Sequence, residues 1–422
     1  MTQTSLRIDA SGAPSALDGW LRARLLQRLV GLRHGALVIE DAWGRAVLGE
    51  RGAREVRMVV DDPRAYRMLA LNGSIGAGEA YGAGLWRCDD LVGLVRLLVR
   101  NRGLLDAMET GPARLGGAAQ RAWHALRGNT RAGSRRNIAA HYDLGNDFFG
   151  LFLSADLMYS SALWETGDSL DQASTRKLDA ICRKLDLREG QRVLEIGTGW
   201  GGFAIHAASA YGCRVTTTTI SREQFELARA RVAEAGLQDR IELLLQDYRD
   251  LDGRYDRVVS IEMIEAIGAG YQDTYFGRLG ALLADDGMAL VQAITIEDHR
   301  YARALRSVDF IKRHIFPGSF IPSVQGMLAA KTRASDLQLV HLEDFGLSYA
   351  RTLCAWRERF LQALDRARAQ GYDERFLRLW DFYLAYCEGG FLERSIGVSH
   401  LLLARPGARP PHGDRWVAGG AG

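Results

Sequence analysis

One ten-residue stretch constrains this chain more than any other. Residues 193–202 read VLEIGTGWGG. An apolar, β-branched run feeds a turn in which Gly197, Gly199 and Gly201 allow a backbone approach that any side chain would block. Residues 203–210 then take up helical composition. The same grammar continues downstream. Strand patterns fall at 192–196, 214–220, 241–245, 255–261 and 288–296. Helical patterns fall at 223–235, ending near Gly236, and at 271–283, closed by Asp285-Asp286-Gly287. Strands alternating with helices at this spacing predict an α/β fold, a doubly wound Rossmann-like parallel sheet.

The turn also narrows the chemistry. A dinucleotide site needs G-x-G-x-x-G and an acid about 20 positions on. Here the spacing is G-T-G-W-G-G, and Thr216-Thr217-Thr218-Thr219 stands where that acid would be. This argues against a nicotinamide cofactor. Glu195 instead precedes the first glycine within the motif. An acid-x-G-x-G turn between strand and helix is the usual cradle for the methionine and ribose parts of S-adenosylmethionine. This makes Glu195, Gly197 and Gly199 candidate cofactor residues of a class I methyltransferase.

The remaining sequence fills in the organisation. A chain of 422 residues, 47% apolar and 25% charged, holds two or three globular domains. Its net charge of +3 calls for no nucleic-acid partner. Five scattered cysteines without CxxC or Cys/His spacing predict no metal site and fit a reducing compartment. The first residues lack a signal-peptide core, and no apolar run is long enough to cross a bilayer, so the expectation is a cytoplasmic protein. Residues 1–110 form a smaller α+β domain. Leu21, Leu25, Leu26 and Leu29 mark a helix, 55–60 a strand, 72–84 a set of tight glycine turns, and 91–99 a helix. Residues 111–136 form a linker with six arginines and no acid. This segment reads as a solvated connector, or as a docking face for an anionic membrane surface, where Trp123 suits an interface. The catalytic domain runs over 137–405. Its stretch 350–400 reads as helical and aromatic, and 406–422 as a disordered tail.

Several strings beyond the turn resemble the cyclopropane-fatty-acyl-phospholipid synthase family. They are HYDLGNDFF (141–149), MYSSALW (158–164), LEIGTGWGG (194–202), TISREQ (219–224), QDYRDL (246–251), SIEMIEAIG (260–268) and IFPGSFIPS (315–323). The resemblance implies a seven-stranded methyltransferase sheet preceded by a lipid-binding domain. It also implies an enzyme that adds a methyl or methylene carbon to double bonds of unsaturated phospholipid acyl chains at the inner membrane surface, with homodimers as a common assembly. By resemblance Tyr159, Ser160, Gly197, Gly199, Thr219, Gln224, Asp247 and Tyr248 contact the cofactor. Asp247 follows the third strand, where a carboxylate can accept from the adenine amino group. Thr219 and Gln224 follow the second strand, within reach of ribose hydroxyls.

An alkene is a poor nucleophile, so the site must align it and exclude water. Attack on the sulfonium methyl leaves a carbocation, which must lose a proton. Loss from the new methyl closes a cyclopropane, and loss elsewhere gives a methyl-branched or methylene chain. In the resembling family the acceptor is a bound bicarbonate, held by a Cys, a Glu, a His, a Tyr and backbone near two Ile. The matching positions are Ser161, Glu265, Gln292 and Tyr349, with Ile261 and Ile294. Ser161 and Gln292 depart from the pattern. Neither supplies the charge of a protonated His, which leaves ring closure less determined than methyl transfer. Glu262 reads as a second acid or as a capping residue. His141 reads as structural or as a site residue. Residues 298–315, with Tyr301, Leu305, Val308 and Ile315 at helical spacing, read as a packed helix or an interfacial lid. Trp380, Phe382, Tyr383 and Tyr386 read as core or as an acyl-tunnel wall. Methylation of a small amine, or lipid binding without catalysis, are the competing functions.

Overall fold

The structure, a computed structural model, describes residues 14–50, 55–104, 133 and 145–410. His141 and nearly all of the basic segment 111–136 lie outside the described residues. Along the chain come α1 (Ala16–Leu29), β1 (Ala36–Asp41), β2 (Gly44–Gly49), β3 (Glu55–Val60), α2 (Arg64–Gly82), β4 (Trp86–Cys88) and α3 (Leu91–Arg100). Next are α4 (Asn146–Phe149), α5 (Leu170–Lys184), β5 (Arg192–Ile196), α6 (Gly202–Tyr211), β6 (Arg214–Thr219), α7 (Arg222–Glu234), β7 (Ile241–Leu245) and β8 (Tyr255–Ile261). The chain continues through α8 (Gln272–Leu282), β9 (Leu283–Ile296), α9 (Asp298–Arg306), α10 (Val324–Ala334), β10 (Gln338–Asp344) and α11 (Gly346–Gln362). It closes with α12 (Leu364–Ala369), α13 (Glu374–Leu392) and β11 (Ile396–Ala404).

Two compact units emerge. The first joins residues 1–123 with 307–315 and 360–393. Its sheet has the order β2-β1-β3-β4, with β1 antiparallel to β2 and parallel to β3. The glycine-rich segment 72–84 departs from expectation. Most of it is the second half of α2, interrupted only at Gly73, whose φ is +53°. The glycines serve close packing instead of turns. A Cβ on Gly78 would stand 2.4 Å from the Phe310 ring, and one on Gly82 would stand 2.8 Å from Leu379. Of the α13 aromatics, Trp380, Phe382 and Tyr383 are buried, and Phe382 packs on Tyr81 and Phe310. This is the core reading of that cluster. The stretch 298–315 is not one helix: α9 ends at Arg306, and a single π turn covers 311–315.

The second unit, residues 124–306, 316–359 and 394–422, carries a seven-stranded sheet ordered β10-β11-β9-β8-β5-β6-β7. Strands β9 through β7 run parallel, while β11 is antiparallel to both β9 and β10. Both faces are covered, so strand residues alternate between two cores. On β5, Val193 enters one cluster, and Leu194 and Ile196 enter the other. From β5 the chain steps outward to β6 and β7, then returns to β8 on the opposite side of β5. This reversal opens a crevice at the carboxyl ends of β5 and β8, the ligand position of open α/β sheets.

The far edge corrects two expectations. Residues 350–400 are not helical throughout, because β11 begins at Ile396 and pairs along nine residues of β9. The Asp285-Asp286-Gly287 triplet lies inside β9, since the chain is already extended at Leu283. Beyond β11 the Arg405 N–H donates to the Gly287 carbonyl and Ala408 is buried, so the expected tail is packed as far as that residue.

Candidate active site

The glycine turn sits at the carboxyl end of β5. Gly197, Gly199 and Gly201 have φ of +102°, +52° and +86°, the left-handed region that penalises a Cβ. The Gly197 and Thr198 N–H groups both donate to the Thr218 carbonyl, at 3.1 and 3.0 Å, tying the turn to β6. A Cβ on Gly197 would press on Met263 at 3.2 Å, whereas one on Gly199 would meet nothing within 4 Å. Gly197 is therefore held close to Met263, whereas Gly199 borders open space where a ligand can lie. Such a cradle fits S-adenosylmethionine.

Glu195 lies beneath this turn. Its carboxylate accepts from the Thr217 hydroxyl at 2.7 Å, and Thr217 lies 2.7 Å from the Thr198 hydroxyl. Burial pushes its pKa up to about 8. The acid of the motif thus braces the turn through two threonines. Lys177, fully buried on α5, donates to the Ser160 hydroxyl at 2.9 Å. Burial lowers its pKa to about 8, against the pull of Asp156, Glu262 and Glu195.

The other expected cofactor residues ring the same sheet edge. The Thr219 hydroxyl, at the end of β6, donates to Gln224 Oε1 at 2.9 Å. Asp247, after β7, is clamped by Arg249, whose Nε and Nη2 donate to its two oxygens at 2.8 and 2.6 Å. Arg249 also lies over the Tyr248 and Tyr271 rings. Tyr248 is buried, its hydroxyl without a partner, and burial pushes its pKa up to about 12. Tyr159 packs between Phe149 and Trp356, with ring centroids at 5.1 and 5.4 Å. Phe149 in turn meets Trp200 of the glycine turn at 5.0 Å, and Trp356 meets Tyr349 at 6.1 Å. An aromatic strip therefore runs from the turn to Tyr349.

Tyr349 leads to two acids just past β8. The Glu262 carboxylate accepts from the Ser161 backbone N–H at 2.9 Å, Gln292 Nε2 at 2.7 Å and the Tyr349 hydroxyl at 2.8 Å. Burial raises its pKa against these three donors. Glu265 accepts from the Ile294 N–H at 2.5 Å, and its other oxygen is buried without a partner. Burial, followed by the nearby Glu262 charge, pushes Glu265 up to about 8.

These contacts correct the anion expectation. Ser161, Gln292 and Tyr349 converge on the Glu262 side chain, and the Ile294 N–H goes to Glu265. The groups expected to hold bicarbonate are spent on the protein's own carboxylates, so the residues present do not fit that ion. The Ser161 hydroxyl points away, donating to the Ala162 carbonyl at 2.9 Å. Its replacement of Cys thus leaves the backbone donor untouched.

A line of buried polar groups passed over in the sequence stands behind Gln292. Gln292 Oε1 lies 2.9 Å from His400 Nε2 on β11, and His400 Nδ1 lies 2.8 Å from Lys184 Nζ on α5. Lys184 also pairs with Glu343. The available signal was position: Lys177 and Lys184 share the face of α5 that carries Leu170, Ala173 and Ile181.

Comparison with known proteins identifies the family. The family described as mycolic acid cyclopropane synthetase matches residues 129–401. A tuberculostearic acid methyltransferase of Mycobacterium tuberculosis is 36% identical over 420 residues, 95% of this chain and 94% of that protein. The cyclopropane-fatty-acyl-phospholipid synthase of Escherichia coli is 35% identical over 380 residues, 87% and 93% of the two chains. Among solved structures, a mycolic acid cyclopropane synthase complexed with S-adenosylhomocysteine superposes with a TM-score of 0.60 at 29% identity, over 64% of this chain and 98% of that one. With the seven-stranded sheet and its glycine cradle, these matches establish that the chain belongs to the mycolic acid cyclopropane synthetase family and is an S-adenosylmethionine-dependent methyltransferase.

Proposed function

We propose that this enzyme adds a one-carbon unit to the double bond of an unsaturated phospholipid acyl chain, working peripherally at the inner face of a membrane. The observation that carries the reading is the aromatic strip Trp200–Phe149–Tyr159–Trp356–Tyr349, which joins the cofactor cradle to buried carboxylates. Such packing keeps water from the path between cradle and carboxylates and gives it the apolar character an alkyl substrate needs. Aromatic faces also lower the energy of a cation formed beside them. The two relatives named for tuberculostearic acid and for fatty-acyl-phospholipid support an acyl substrate. Among the described residues no helix is long and apolar enough to cross a membrane.

In this reading Gly197, Gly199, Thr219, Gln224, Asp247, Tyr248, Tyr159 and Ser160 hold the cofactor, with Glu195 bracing the turn. When bound, S-adenosylmethionine supplies an electrophilic methyl group on a sulfonium. With that donor bound, alkene attack would break the S–C bond as the new C–C bond forms, and the cation left on the neighbouring carbon would lie beside the aromatic strip. A proton then leaves the new methyl for the acid pair, and its C–H electrons close a cyclopropane. Ring closure is the reading because neither departure removes a donor. Ser161 acts through its backbone, and Gln292 donates through Nε2.

Lipids from a host expressing the chain should gain the mass of one CH2 on monounsaturated acyl chains. Proton NMR of the product should show the shielded protons of a three-membered ring. An olefinic methylene signal would overturn ring closure, and methyl gain on amines alone would overturn the lipid substrate.

A further inference from the structure

The acid pair raises the question of which group takes the proton. We propose that Glu262 is the proton acceptor of the reaction, a carboxylate built into the chain where a bound bicarbonate would otherwise serve. The proposal rests on the methyl-transfer reading above, and three observations carry it.

The first is the donor set. One carboxylate collects Ser161 N–H, Gln292 Nε2 and Tyr349 OH, three donors from three separate segments. A carboxylate so held is ionised before Glu265, which has only backbone donors and a second oxygen without any. The two acids thus divide their roles, Glu262 as the base and Glu265 as the protonated neighbour.

The second is backbone conformation. Glu262 has φ of +49°, left-handed for a residue with a full side chain. Strain of this kind persists where the surroundings over-determine it and gathers at functional sites. Here the Glu262 N–H donates to the Gln292 carbonyl at 2.8 Å, continuing the β8–β9 pairing into the strained residue.

The third is position. Glu262 follows β8 directly, and the next residue, Met263, lies against Gly197 of the cradle. Tyr349, which donates to Glu262, begins the aromatic strip that leads back to the turn. The base therefore stands beside the cofactor cradle. In the step itself the Glu262 carboxylate takes a proton from the new methyl and becomes a carboxylic acid, while the C–H electron pair forms the second ring bond. No external base, oxidant or reductant is consumed, and the proton returns to solvent before the next turnover.

The test compares full-length wild type with Glu262→Gln and Glu262→Gly. Glycine suits the left-handed backbone and opens the carboxylate's seat. Turnover on vesicles of monounsaturated phosphatidylglycerol is measured in carbon-dioxide-free buffer and after adding bicarbonate. Wild type should run equally in both. Glu262→Gln should lose about a hundredfold or more, the usual contribution of a positioned base, while still binding the cofactor by calorimetry. Glu262→Gly should be slow and recover with bicarbonate. In parallel, 13C-labelled bicarbonate is titrated without substrate. Its resonance should broaden saturably with Glu262→Gly and not with wild type. This arm needs no turnover, so it decides the proposal even if the lipid proves to be the wrong substrate. Saturable bicarbonate binding by wild type, a wild-type rate that collapses on depletion, or an active Glu262→Gln variant would each overturn it.

Discussion

Replacing Lys184 by Met tests how the protein fixes the orientation of the Gln292 amide from two residues away. Lys184 is almost wholly buried, and its ammonium group has only hydrogens to offer. Its contact with His400 Nδ1 therefore makes that nitrogen the acceptor and leaves the ring proton on Nε2. His400 is held neutral, because burial pushes its pKa well below the ordinary value, with Lys184 and Lys177 adding to the effect. Nε2–H then donates to Gln292 Oε1, and the amide nitrogen is turned toward Glu262. With Met at 184 the Glu343 carboxylate, 39% exposed, recovers water at little cost. His400 has no such recourse, and an unsatisfied buried acceptor costs about 1–3 kcal/mol. A unit of this size should melt about 2–4 °C lower per kcal/mol lost. Activity should fall further than stability explains. Once the tautomer is unfixed the amide can flip, and loss of a hydrogen bond to a charged group, about 1.5–3 kcal/mol, is about tenfold or more in rate. Denaturant melts, turnover and 15N shifts of the His400 ring check the chain of argument. A variant with wild-type stability and an unchanged Nε2–H signature would refute it.

Two further outcomes follow from the same geometry. Gly199→Ala places a methyl in the left-handed region and in the open space of the turn, so it should cost about 1–2 kcal/mol of stability. It should also abolish the rise in melting temperature that S-adenosylmethionine gives wild type through ligand linkage. A full ligand-induced shift in the variant would mean that the cofactor lies elsewhere. Glu265 is half-buried with its Oε2 enclosed, and burial pushes its pKa from 4.5 to about 8. The folded state holds its proton more tightly than the unfolded chain does. The associated stability is therefore complete below about pH 4.5 and is lost as pH rises toward 8, by on the order of a few kcal/mol. Denaturant midpoints across that window should fall less steeply for Glu265→Gln than for wild type, and identical slopes would show that Glu265 is already ionised.

The parallel half of the catalytic sheet was legible because its strands are short, apolar or β-branched, and punctuated by glycine. β5, β7 and β8 fall at the predicted residues, and β6 ends one residue early. What the sequence hid depends on distant partners. β11 reads as a helical continuation because GVSHLLLA has no alternation, and it is strand only because β9 and β10 flank it. The glycines of α2 suggest turns when the chain is read alone. They become helix packing once Phe310 and Leu379, hundreds of residues away, occupy the space they leave.

The site divides along the same line. Gly197 and Gly199 announce themselves, since only a special backbone needs glycine at that spacing. Asp247 was expected as a free acceptor, yet Arg249, two residues on, takes both its oxygens, a local contact that QDYRDL already contained. Ser161 and Gln292 looked like losses because a side chain was compared with a side chain. Ser161 works through its backbone, and the charge expected of a histidine reappears nearby as Lys177, buried within electrostatic reach of Glu262. The polar line Lys184–His400–Gln292 joins α5, β11 and β9, three elements with no sequence proximity, so no local pattern could reveal it. What such a network leaves in the sequence is a violation: a lysine on the apolar face of a helix and a histidine in an apolar strand. Each is costly to bury unless partnered, so each predicts that a partner exists without saying which.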